Sequence, residues 1–102
     1  MPAMFSGGDY HEVARWVRIF LNSHAKREHP RVEAVVDATG ERENKSYGTW
    51  LRLAEQVSPE VEFDFKDVAD HRGSLAWCQA FADATRARVR DLLAGAATAG
   101  HR

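Results

Sequence analysis

Ser46-Tyr47-Gly48-Thr49-Trp50-Leu51-Arg52-Leu53-Ala54 is the stretch whose reading decides the fold. Its aromatic and branched side chains suit a pleated surface, so it reads as a β-strand. Trp50, Leu53, Ala54 and Val57 also fall at helical spacing behind Thr49 as a cap, which makes a short helix the competing reading.

The flanking segments read as strands themselves. Before it, Arg31 to Thr39 alternates, with Val32, Ala34, Val36 and Ala38 set against Arg31, Glu33 and Asp37, as in a strand with one buried face. Gly40 to Lys45 is a charged loop of hairpin length. After it, Ser58-Pro59-Glu60 is a turn signal, and Glu60 to Phe65 alternates strictly, with Val61, Phe63 and Phe65 on one side and Glu60, Glu62 and Asp64 on the other. Asp67 to Gly73 reads as polar connection.

Helices bracket these strands. Asp9 has the character of an N-cap with Glu12 as its capping-box partner, and Tyr10, Val13, Trp16, Val17, Phe20, Leu21 and His24 align on one helical face. Pro30 ends that helix within residues 25–29. Ser74 caps a final helix whose stripe runs Leu75, Cys78, Phe81, Ala82, Thr85, Val89, Leu92, Leu93 and Ala96, ending near Gly95. The expected fold is therefore α+β: helix, three-stranded antiparallel sheet, helix, with both helices on one sheet face. Residues 1–8 read as a flexible leader, 9–95 as one domain and 96–102 as a frayed tail.

A chain of 102 residues with 44% hydrophobic and 28% charged side chains has the composition of one globular domain. Cys78 is the single cysteine, so no intramolecular disulfide forms; with no secretory signal and no apolar run of about 20 residues, a cytoplasmic setting without membrane insertion is expected. The net charge of −1 hides segregation: residues 1–31 carry +2, residues 32–70 carry −6 and residues 71–102 carry +3.

No motif identifies a chemical activity. The five histidines lack zinc spacing, and no Cys pair or H-E-x-x-H accompanies them. Asp64, Asp67, Asp70 and His71 form the densest set of hard ligands, but without the glycine and closing glutamate of a calcium loop they read as a solvated loop and helix caps. Cys78 lies on the apolar stripe, where it acts as a small hydrophobe, and Ser6-Gly7-Gly8 lacks the lysine of a phosphate loop. No catalytic residue, metal or cofactor is expected.

Helix, three strands, helix is also the element order of double-stranded-RNA-binding domains. That family opens its second helix with a run of lysines, whereas this chain has D-H-R-G-S-L-A-W at residues 70–77, so no family is assigned.

The leading expectation is a non-enzymatic interaction module, binding itself as a homodimer or another protein. Its surface is the open sheet face, where Val35 and Trp50 stand among charges, with Arg52, Glu62 and Asp64 as further contacts. Nucleic-acid binding through basic helix faces, Arg15, Arg18, Lys26, Arg86 and Arg90, is the second; Asp83 and Asp91 are placed to pair part of the last helix. A small-molecule pocket or enzyme site between helices and sheet, walled by Trp16, Tyr47 and Trp77, is the third.

Overall fold

The first helix, α1 (Tyr10–Glu28), begins where the Asp9 carboxylate accepts from the Glu12 N–H at 2.8 Å. The computed structural model describes residues 9–99, apart from the side chains of residues 96–99, so the expected leader and the last three residues of the expected tail lie outside the described residues. Glu12 does not complete the capping box; its carboxylate turns to Arg72 at 3.4 Å. Ahead of Pro30, His29 is extended at φ −155° and closes the helix through its N–H to Ala25 O.

Strand β1 (Glu33–Asp37) follows, and a single 3-10 turn at Gly40–Arg42 leads to β2 (Ser46–Leu53). The strand reading of residues 46–54 is right and the helical alternative fails. β2 is the central strand, with antiparallel neighbours on both sides, and Thr49 is fully buried in its middle instead of capping a helix. A two-residue turn with Ala54 at φ 54° leads to β3 (Gln56–Val57).

β3 and β4 (Val61–Asp64) both pair with β2 on the side away from β1. The sheet thus has four strands where three were expected: β4 falls within the expected third strand, and β3 is an additional two-residue strand separated from it by a break at Ser58 to Glu60. Pro59 has no N–H for the ladder, and Ser58 bridges the break. Its N–H donates to Leu51 O at 2.8 Å and its Oγ accepts from the Leu51 N–H at 2.9 Å.

Residues 65–71 form a helix, α2 (Phe65–His71), where polar connection was expected. Asp64 accepts from the Asp67 N–H at 3.0 Å, and Phe65, Val68 and Ala69 fall at the spacing that turns Val68 and Ala69 into the core. Ser74 Oγ then accepts from the Trp77 N–H at 3.2 Å and starts α3 (Leu75–Ala99), which continues past Gly95.

All three helices pack on one face of the antiparallel sheet. Val13, Val17 and Leu21 of α1, Val68 of α2 and Val89 of α3 are fully buried with Tyr47 and Leu51 of β2. Tyr10 stacks on Tyr47 at 4.8 Å, and their hydroxyls reach Ser46 O and Tyr10 O respectively, which ties α1 to the sheet. Among the described residues no helix is long and apolar enough to cross a membrane.

Candidate interaction surface

Alternation along the strands turns Glu33, Val35 and Asp37 of β1, Gly48, Trp50 and Arg52 of β2, Val57 of β3, and Glu62 and Asp64 of β4 away from the helices. Four of the five expected contact residues are ladder neighbours of one another or of the same strand: Val35 pairs with Trp50, Arg52 follows on β2, and Glu62 pairs with Gly48. Asp64 lies at the end of β4 opposite Ser46, where its carboxylate is engaged as the α2 cap.

Val35 and Trp50 are partly exposed and stand outside the packed core, and Val57, diagonal to Trp50, is 54% exposed. The three side chains make an apolar row across the sheet, and no described element lies over it. Val57 was not foreseen because it lies in the unexpected β3.

Beside this row sits a charged latch that the sequence did not suggest. Arg42 leaves the 3-10 turn and folds back onto the open face: Nη1 donates to Asp37 at 2.5 Å, Nη2 to Glu60, and Nε lies 3.6 Å from Glu62. Burial works to lower the Arg42 pKa, but Glu60, Asp37 and Glu62 together outweigh it and hold the guanidinium more firmly protonated than usual. A Cβ at position 48 would stand 2.5 Å from Arg42 Cζ, so glycine is what lets the guanidinium lie against the strand. At the other end, Arg52 donates to Glu33 at 2.9 Å. Hydrogen bonds from Thr39 and from Arg52, respectively, hold the Asp37 and Glu33 carboxyls below their ordinary pKa. The face therefore carries five carboxylates, from Glu33, Asp37, Glu60, Glu62 and Asp64, against the two guanidinium groups of Arg42 and Arg52.

The basic residues of the second expectation do not form one stripe. Arg86 and Arg90 both reach Glu28 across the α1–α3 seam, at 2.8 and 3.2 Å, and the hydrogen bond from Arg86 is the main cause of the lowered Glu28 pKa. Neither Asp83 nor Asp91 forms an ion pair among the described residues. Lys26 donates to Pro30 O and Val32 O, closing the connection to β1, and Asn22 caps the Ala34 N–H on the same edge. Arg15 and Arg18 remain together, lining a shallow groove with His11, Val36 and Ala38.

Tyr47 is wholly inside the core, and Trp16 and Trp77 belong to an aromatic stack with Phe20 and Phe81, so the three do not wall one open pocket. Asp64 and Asp67 serve α2, as cap and as partner of His71 at 3.2 Å. Among the described residues, no group of three or more His, Cys, Asp or Glu side chains is arranged to hold a metal ion. Cys78 is partly buried and its thiol points to Arg72 O at 3.3 Å. No family model, curated protein or solved structure matches this chain.

Proposed function

We propose that this chain is a non-enzymatic docking module whose open sheet face binds a partner protein. The observation that carries the reading is the row Val35, Trp50 and Val57 across three strands on the face opposite the helices, with Val35 and Trp50 half-buried and Val57 exposed. A solvated antiparallel face is ordinarily polar, and a tryptophan at its centre is the kind of side chain that dominates interface energetics. The surrounding carboxylates select the partner's chemistry: an apolar contact rimmed by Lys or Arg. Face-to-face pairing of two copies would oppose five carboxylates with five, which disfavours the homodimer on this surface. Stacking an acidic sheet face on a basic helix face of another copy would be heterologous and would not close. Nucleic-acid binding is the weaker reading, because three of its five cations already have partners within the chain.

The test is affinity capture with the wild-type chain and with Trp50→Glu, followed by direct titration of the protein recovered. Trp50→Glu is expected to keep the fold by circular dichroism and to weaken binding at least about 30-fold, the cost of a central interface tryptophan. Binding should also weaken as salt rises. Equal binding by the variant, or binding indifferent to salt, contradicts the proposal.

A further inference from the structure

Arg88 is unlike the other arginines on the helices facing the sheet. It projects from α3 to the middle of β2, where Nη1 donates to Thr49 Oγ1 at 3.2 Å and Nη2 to Thr49 O at 3.1 Å. Thr49 is fully buried, and its hydroxyl donates to Val61 O at 2.8 Å. Among the described residues no carboxylate stands within ion-pair distance of Arg88, whereas Arg42, Arg52, Arg72, Arg86 and Arg90 all have one. A half-buried guanidinium without a counter-charge is costly, and burial accordingly pushes the Arg88 pKa down. Thr49 occupies only part of the guanidinium's fork of N–H donors.

Arg88 also lines a cleft of about 450 Å³ between the β3–β4 edge and the last turns of α3. Its other walls include Pro59, Val61, Leu92 and Gly95, with Asp91 at the same cleft. Apolar walls around one fixed charge are the usual form of a small-ligand site. The planar fork of arginine matches a carboxylate, while Asp91 would oppose the second charge of a phosphate dianion. We propose that this cleft binds a small monocarboxylate with an apolar body, its carboxylate on Arg88 and its hydrocarbon against Val61 and Leu92. The site is separate from the Trp50 face, and the two readings fail independently.

The test is calorimetric and NMR titration of the full chain with hexanoate, with hexanol and with inorganic phosphate. Saturable hexanoate binding is expected, with shifts at the Arg88 side chain and at the Val61 and Leu92 methyls. Hexanol should bind at least about tenfold more weakly, the worth of a charge-assisted hydrogen bond. Arg88→Met should abolish the binding. Because that change also removes the tie to Thr49, Gly95→Trp serves as a second variant: Gly95 borders the cleft and a Cβ there meets nothing within 4 Å, so a bulky side chain is accommodated at the cleft's edge and narrows it. It should block hexanoate while leaving the melting temperature unchanged or raised. Absence of saturable hexanoate binding, equal binding of hexanol or phosphate, or undiminished binding by folded Gly95→Trp overturns the proposal.

Discussion

Arg42 shows how a single residue acquires a role from distant parts of the chain. Its three acidic partners come from β1, from the break before β4 and from β4 itself, and its seat is the bare backbone of Gly48. Gly48→Ala and Arg42→Ala should therefore remove the same arrangement. Each is expected to lower the melting temperature, with the double variant no less stable than the worse single one. Additive losses in thermal unfolding would show that Gly48 and Arg42 act separately. None of this was legible beforehand, because residues 40–45 read only as a charged loop.

His24 offers a second prediction at this scale. Burial beside Phe20, and then the charges of Arg27 and Arg86, lower its pKa below 6.5. The folded state thus binds the proton less readily than the unfolded chain. The His24 contribution is fully present above pH 6.5 and is lost as the pH falls through the depressed folded value. Denaturant unfolding should show stability declining across that acidic interval, with a shallower decline in His24→Gln. An unchanged slope would exclude His24 as the source.

At the scale of elements, the two turns around the edge strand are the informative ones. Ala54 holds φ 54°, a left-handed conformation that disfavours any side chain with a Cβ. Ala54→Gly should stabilise the domain by about 0.5–1 kcal/mol, the strain relieved less the extra entropy of the unfolded glycine. Asp64→Ala should cost about 1 kcal/mol by leaving the first turn of α2 uncapped. Thermal melts of both variants test these signs.

The long helices were legible because apolar spacing and a cap agree in each: Asp9 for α1 and Ser74 for α3. β2 was legible from its aromatic and branched residues, with a helical set behind Thr49 competing until the ladder placed it at the centre of the sheet. α2 was not, since Phe65 continues the alternation of β4 and so hides the helical set Phe65, Val68 and Ala69. The break at Ser58 to Glu60 was read as a turn, although Ser58 keeps the edge attached through Leu51.

At the scale of the whole molecule, charge segregation has two structural outcomes. Glu28 gathers Arg86 and Arg90 and joins α1 to α3, so part of the basic character is absorbed internally. The acidic middle is spread over the open sheet face, where Arg42 and Arg52 offset only part of it. Alternation in the strands was enough to place Val35 and Trp50 on that face. The Arg88 cleft was not legible, because it depends on α3 bringing Arg88 to the middle of β2 with no carboxylate in ion-pair distance among the described residues.

The central claim, that the open sheet face is the docking surface, is tested most directly by the indole resonances of the three tryptophans. Trp50 alone lies on that face, while Trp16 and Trp77 pack near each other, 6.4 Å between ring centroids, on the helix side. Titrating the isotope-labelled chain with the partner recovered by capture should shift the Trp50 indole N–H and leave those of Trp16 and Trp77 in place. Shifts at Trp16 and Trp77 with Trp50 unmoved would place the interface on the helices and contradict the account.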